Sequence, residues 1–268
     1  MRRKNSPREN EAKSKTTRDG LEKDISLPSL QNQILLSLPQ NEFSLLRPHL
    51  EPIRLNHHLV LQEAGEIIRD AYFLNGGLAS LVVLTSDGRS VEVAIVGKEG
   101  MVGTPLAVGL NRSPCRSIMQ IPGDGFKLSA AVLEQVLPRA PELMRILSRF
   151  VLVQGLQAAQ IAACNRLHDI EQRLARWLLM CQDCVDSEQV PVTHEVLAQM
   201  LGTGRPSVSL AAGILQRAGW IENFRGAFRI LDRKKLEASS CECYRAIQQF
   251  NSGLLKDSPR QNPKSQNS

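Results

Sequence analysis

The chain has 268 residues and a formal net charge of +6, enough length for one large or two ordinary domains with real cores. Residues 1–24 hold eight basic and five acidic groups (+3) and 251–268 three and one (+2), which leaves +1 for 25–250 and excludes a body that binds polyanions generally. Six cysteines over this length exclude a disulfide scaffold.

Both tails, 1–26 and 251–268, are polar, poor in apolar residues and expected to be disordered. The basic start runs into polar residues, which is no secretion signal, and no run of eighteen apolar residues occurs. A cytoplasmic protein without membrane contact is the expectation. Residues 27–50 form a short helical lead-in with Leu35, Leu36, Leu38, Phe43, Leu45 and Leu46.

From 52 to 128 the grammar changes to short strands: Pro52–Leu55, Leu59–Leu61, Ala71–Leu74, Leu78–Leu84, Ser90–Val96, Arg116–Ile121 and Phe126–Leu128. Glycine-bearing turns separate them, at Ala64-Gly65-Glu66, Asn75-Gly76-Gly77, Ser86-Asp87-Gly88, Gly97-Lys98-Glu99-Gly100 and Pro122-Gly123-Asp124-Gly125. That spacing predicts an antiparallel sandwich or barrel over 27–137. The alternation at Ser90–Ile95 suits a half-exposed strand.

Pro138 and Pro141 then mark the start of a dimerisation segment, 138–166, that holds a long helix of about 24 residues and about 36 Å. Its stripe of Ile146, Phe150, Val153 and Gln157 exceeds what one barrel face covers, and the same helix of a second copy is the economical partner. A second amphipathic helix follows from Asp169 to Cys181, with Ile170, Leu174, Trp177, Leu178 and Cys181 on one side.

The region 167–250 carries the most informative pattern. Thr193 can cap a helix whose buried stripe is Val196, Leu197, Met200 and Leu201, and Gly202 ends it. A second helix opens on Arg205-Pro206-Ser207, with proline where the missing N–H costs nothing, and closes at Gly219. Val208, Ala211, Ala212 and Leu215 give that helix its apolar face. Residues 220–231 read as a hairpin turning at Arg225-Gly226, a wing. Between 190 and 235 seven basic residues meet three acids, a local +4 of the kind that neutralises phosphates. A helix-turn-helix of this form sets the start of its second helix against base edges in the major groove. Candidate DNA contacts are Thr193, Arg205, Pro206, Ser207, Ser209, Arg217 and Arg225.

The order barrel, long helix, short helix, winged helix resembles the Crp/Fnr family of bacterial transcription regulators over about residues 28–250. The likeness is carried by Gly97-Lys98-Glu99-Gly100-Met101-Val102-Gly103, Ala163-Cys164-Asn165-Arg166-Leu167-His168, Glu171–Met180, Leu215–Gly219 and Cys241-Glu242-Cys243-Tyr244. The resemblance implies an α+β chain: an N-terminal jelly-roll barrel like those that bind cyclic nucleotides, a dimerisation helix and a C-terminal winged helix. It also implies a homodimer on a palindromic operator of double-stranded DNA, an effector in the barrel, RNA polymerase as a candidate partner and no catalysis.

Cyclic-AMP-binding members use a Gly-Glu pair for the ribose and an Arg-Ser or Arg-Thr pair for the phosphate. Here Gly103-Thr104-Pro105 stands where Gly-Glu-Leu is expected, so the carboxylate is missing. Arg112-Ser113 and Arg116-Ser117 are loose substitutes for the second pair. The effector pocket, if built as in those members, would involve Gly103, Thr104, Arg112, Ser113 and Arg116, with an effector other than cyclic AMP. The recognition helix departs from the family as well, with Pro206 and Leu210 where polar readers often stand.

No cofactor is expected. The paired cysteines Cys181 and Cys184, and Cys241 and Cys243, are the weak metal candidates, and they need the two pairs to meet in space. Two other functions are weighed. A barrel-type metal-dependent enzyme needs two or three histidines and a carboxylate inside the barrel, but only His49, His57 and His58 precede the long helix, and the last two would face opposite sides of a strand. A cyclic-nucleotide-binding adaptor would have no use for the winged helix.

Overall fold

The computed structural model describes residues 29–185 and 187–254. The expected disorder of the two tails concerns residues that lie largely outside them. The lead-in is two short helices, α1 (Gln33–Leu36) and α2 (Gln40–Leu46), followed by a 3-10 turn at Arg47–His49. Asn32 starts α1: its side-chain oxygen accepts from the Leu35 amide, while its Nδ2 donates to the carbonyls of Leu74 at 3.0 Å and Gly100 at 2.8 Å.

Eight strands follow: β1 (Glu51–Leu55), β2 (Val60–Gln62), β3 (Asp70–Leu74), β4 (Leu78–Leu84), β5 (Ser90–Val96), β6 (Met101–Val102), β7 (Arg116–Ile121) and β8 (Gly123–Ser129). They build two antiparallel four-stranded sheets, in the orders β1-β8-β3-β6 and β2-β7-β4-β5. The barrel is therefore an open sandwich rather than a closed ring. Phe73, Leu74, Val96, Met101, Met119, Phe126 and Leu128 fill the space between the sheets.

Two sequence expectations change here. Gly123 and Gly125 belong to strand β8, not to a turn. A Cβ on either would run into backbone of the neighbouring segment, Gly76 and Phe73 respectively, so these glycines permit close approach of strands. Strand β5 is covered on both faces, with Glu92 buried, because a helix described below packs on its outer side.

After α3 (Ala130–Val136) a 3-10 turn holds Leu137–Arg139, so Pro138 precedes the long helix, and α4 begins at Pro141 and runs to Leu167. At 27 residues α4 is about 40 Å long. Its first free amides are held by Glu42, whose carboxylate oxygens accept from the N–H of Glu142 at 3.1 Å and of Leu143 at 2.9 Å. A negative group at a helix N-terminus is favoured by the helix dipole. By length and composition alone α4 could cross a bilayer, yet Leu143, Ile146, Leu147 and Phe150 pack into the sandwich core.

The rest is α5 (Ile170–Val185), β9 (Gln189–Val190), α6 (His194–Met200), α7 (Arg205–Arg217), β10 (Ile221–Phe224), β11 (Ala227–Ile230), α8 (Arg233–Ser239) and α9 (Cys243–Gly253). The wing has a third strand, in the order β10-β11-β9. This region is not a separate ball on a linker. Leu78, Val82, Ile95 and Ile121 from the outer face of the second sheet share one apolar core with Trp177, Leu178, Leu197, Val208 and Leu215. At the centre of that junction the Trp177 indole N–H donates to Glu92 Oε1 at 2.8 Å and the Ser80 hydroxyl donates to Glu92 Oε2. Burial pushes the Glu92 carboxyl up to about 7, against the pull of these donors and of Arg176.

Candidate nucleic-acid interface

Helices α6 and α7 and the β10–β11 hairpin form the winged helix that the sequence predicts, with the expected punctuation. The Thr193 hydroxyl accepts from the Val196 amide at 3.3 Å, and Gly202 takes φ +57°, the left-handed conformation that ends α6. Leu197, Met200 and Leu201, with Val208, Ala211, Ala212 and Leu215, are buried between the two helices and α5. That burial turns the other side of α7 outward: Arg205, Pro206, Ser209, Leu210, Gln216 and Arg217 are exposed, with Ser207 half-buried at the edge.

The charge balance of this surface is sharper than the sequence sum. Arg229 pairs with Glu222 at 3.0 Å, Arg233 with Asp183 at 2.7 Å, and Lys235 with Asp232 at 3.4 Å. Arg205, Arg217, Arg225 and Lys234 make no ion pair among the described residues. A groove of about 440 Å³ opens between the start of α7 and the wing, lined by Thr193, His194, Arg205, Asn223 and Arg225 among others. Two uncompensated guanidinium groups and the Thr193 cap therefore face one concave surface.

His194, which the sequence reading passes over, fixes the geometry of this groove. One ring nitrogen lies 2.9 Å from Ser209 Oγ and the other 2.9 Å from Asn223 Nδ2, and the ring stacks on Phe228 at 5.4 Å. One side chain thus ties α6 to α7 and to both strands of the wing. Gln216 adds a second tie by accepting from the Asn223 amide at 3.0 Å. A histidine directly after an N-cap was the only signal in the sequence, and its partners lie 15 and 29 residues away.

The five candidate effector residues do not form a set of free groups. The Thr104 hydroxyl donates to Gln154 Oε1 on α4 at 2.6 Å, next to Gly103. Arg112 donates to the Gly65 carbonyl, and Ser113 Oγ accepts from the Cys115 amide at 3.1 Å. Arg116 pairs with Glu63 at 2.8 Å. Each polar side chain already has a partner within the protein.

The dimerisation stripe needs correction. Ile146 and Phe150 are 1% and 4% exposed, buried against the chain's own sandwich, and Val153 packs on the same core. Gln157 is 5% exposed and its Oε1 accepts from the Ile95 amide at 3.2 Å. The face turned to solvent is the opposite one, Ser148, Leu152, Gly155, Leu156, Ala159, Ala162, Ala163 and Arg166.

The two cysteine pairs do not meet either. Cys181 and Cys184 are buried in the apolar junction under the second sheet, where burial pushes both thiols up and leaves them inert. Cys241 and Cys243 pack on Cys164 at the end of α4. His57 and His58 sit in the turn after β1, with rings 3.8 Å apart and φ +63° at His58, rather than on opposite faces of a strand. Among the described residues, the group of His, Cys, Asp and Glu side chains close enough together to hold a metal ion, Cys164, His168, Cys241 and Cys243, lies outside the sandwich.

Residues 172–239, α5 through α8, match the Crp-like helix-turn-helix domain family. No curated protein matches the chain. A transcriptional regulator of the Crp/Fnr family from Eubacterium rectale aligns with 77% of this chain and 97% of its own at a TM-score of 0.60 and 15% identity. FixK2 from Bradyrhizobium japonicum covers 72% of this chain and 98% of its own, at 0.61 and 15%. A Crp-family regulator from Thermus thermophilus covers 70% and 96%, at 0.56 and 24%. At these identities the structural likeness is one of fold.

Proposed function

From a Crp-like helix-turn-helix domain set in the Crp/Fnr fold, we propose a DNA-binding transcription regulator that works as a homodimer on a palindromic operator, under control of a signal received through the sandwich. The observation that carries this reading is the outward face of α7. It presents Arg205 at the helix start, next to a groove with Arg225, on a scaffold locked by His194. A planar guanidinium there suits O6 and N7 of guanine, and Arg217, Arg225 and Thr193 suit the flanking phosphates. Leu210 is 61% exposed in the middle of that face, a contact for a thymine methyl rather than a hydrogen-bonding reader.

The dimer is supported by α4. Ser148, Leu152, Gly155, Ala159, Ala162 and Arg166 recur at steps of four and three, the period of a coiled-coil seam, and Leu152 and Leu167 are 64% and 74% exposed. Small residues in that strip let two helices approach closely. Control through the sandwich is supported by its contact with the helix-turn-helix. The residues Thr85, Arg89 and Val91 of the β4–β5 hairpin line a cleft with Gln199, Gly202 and Arg205, which sets the hairpin beside the turn that leads into the reading helix. The side chains at Thr104, Arg112, Ser113 and Arg116 are engaged internally, which supports an effector other than cyclic AMP. Six cysteines without a disulfide suit the reducing cytoplasm.

Selection of bound DNA from a random duplex pool tests the reading. Enrichment of an inverted repeat with half-sites about one helical turn apart is expected. Leu152→Glu should sediment as a folded monomer and lose that enrichment. A wild-type chain that selects no motif, or a Leu152→Glu dimer, would overturn the corresponding part. Transcription with RNA polymerase on the selected sites then separates an activator from a repressor.

A further inference from the structure

The last turn of α4 and the start of α9 bring together four side chains that DNA binding does not use. Cys164 lies in that last turn, His168 directly follows α4, and Cys241 and Cys243 stand at the entrance of α9. One ligand atom from each lies within 4.8 Å of all the others. Cys164 Sγ is 3.4 Å from Cys241 Sγ, and Cys243 Sγ is 3.5 Å from His168 Nδ1. The three sulfurs are buried and His168 is half-buried.

We propose that Cys164, His168, Cys241 and Cys243 bind one zinc ion through three thiolates and the Nδ1 of His168. The dimensions suit a single tetrahedral ion, since Zn–S bonds of about 2.3 Å place sulfurs about 3.8 Å apart. Multi-iron clusters need their ligands spread more widely than 4.8 Å. A disulfide would require an S–S length of about 2.05 Å. It would also occupy two of the four groups and leave His168 and Cys243 without a purpose. Three soft sulfurs and one imidazole are a donor set that selects zinc over hard cations.

The surroundings are those of a ligand shell. His168 Nε2 lies 3.2 Å from Glu242 Oε1, so the ring N–H points at the carboxylate and the Nδ1 lone pair points at the sulfurs. Gln160 Nε2 donates to Cys243 Sγ at 3.1 Å. The guanidinium groups of Arg173 and Arg176 lie close enough to stabilise negative charge on Cys164, which offsets the surplus charge of three thiolates on a divalent ion. On binding, the thiol protons leave to solvent as the three S–Zn bonds form, with no change of oxidation state.

The position gives the ion a structural consequence. From Cys164 in the last turn of α4 the chain goes on to build the whole winged helix and returns at Cys241, 77 residues later. One ion there bolts both ends of the DNA-binding region to the end of the long helix. It therefore sets the angle between that region and α4.

The test is metal content and coordination of the full-length chain purified with reductant and zinc. One zinc per chain is expected, retained by Cys184→Ser and lost by Cys243→Ser and His168→Ala. Glu242→Gln should weaken zinc about 10–100-fold in competition with a chromophoric chelator. Cobalt(II) titrated into the metal-stripped wild-type chain should give the visible spectrum of a tetrahedral sulfur-rich site, a readout that does not depend on any variant folding. A reduced wild-type chain that takes up neither ion would overturn the proposal. So would zinc retained by both Cys243→Ser and His168→Ala, or a Cys164–Cys241 disulfide isolated from the reducing preparation.

Discussion

The two halves of α4 share one helical period and a buried inward side, and differ in where their remaining apolar residues point. From Leu143 to Phe150 the apolar residues face the chain's own sandwich, packed so closely that a Cβ at Gly100 would strike the Phe150 ring. From Leu152 to Leu167 the inward side still packs, through Val153 and Gln157 on the sandwich and Ile161 on the junction core, but the outward side carries Leu152, Leu156, Leu167 and several glycine and alanine residues. The contrast teaches that an apolar stripe records how much surface must be covered but not which neighbour covers it. The inward side belongs to the fold, and the outward side of the second half is the part we propose for a second copy.

Substitutions in the two halves should separate these roles. Phe150→Ala removes a ring from a closed core and should cost about 3–5 kcal/mol in denaturant unfolding. Leu152→Ala should leave the unfolding of the monomer almost unchanged and weaken self-association. Equal losses of stability in the two variants would erase the distinction between the halves.

The junction between sandwich and winged helix gives a second contrast, in pH. Glu92, buried beside Trp177, holds its proton up to about 7, whereas in the unfolded chain it titrates near 4.5. The folded state thus binds more protons between those values, so the contribution of this carboxyl to stability is full below 4.5 and is lost as pH rises to about 7. The loss attributable to this one carboxyl is on the order of 3 kcal/mol. Glu92→Gln should flatten that part of the profile in urea unfolding measured across the window. A wild-type profile already flat there would show that Glu92 is not held in the protonated form.

What the sequence made legible follows the range of the forces involved. Thr193, Gly202, Pro206 and Gly219 act on their own neighbours, so the helix-turn-helix could be read from spacing alone. The strands of five or more residues were legible as well, except the start of β8, where Gly123, Asp124 and Gly125 read as a turn. Strands β6 and β9 have two residues each and exist because a partner strand supplies their bonds, Phe73 and Tyr72 for the first and Phe228 and Arg229 for the second. The inward turn of Ile146 and Phe150, the burial of Glu92 and the approach of Cys241 to Cys164 all depend on contacts far away in sequence. The cysteine pattern held a usable signal even so. Cys164 and His168 stand four apart across a helix end, and Cys241 and Cys243 flank a carboxylate that can orient that histidine.

The most direct test of the central claim, that α7 reads bases, is titration of Arg205→Ala and Arg217→Ala against the selected operator and random DNA across a salt series. Arg205→Ala should lose about 1–3 kcal/mol on the operator and relax the preference at one base of each half-site, with random DNA affected far less. Arg217→Ala should weaken both DNAs alike and lower the salt slope by about one charge. If Arg205→Ala weakens operator and random DNA equally, Arg205 is a phosphate contact and α7 is not the reading helix.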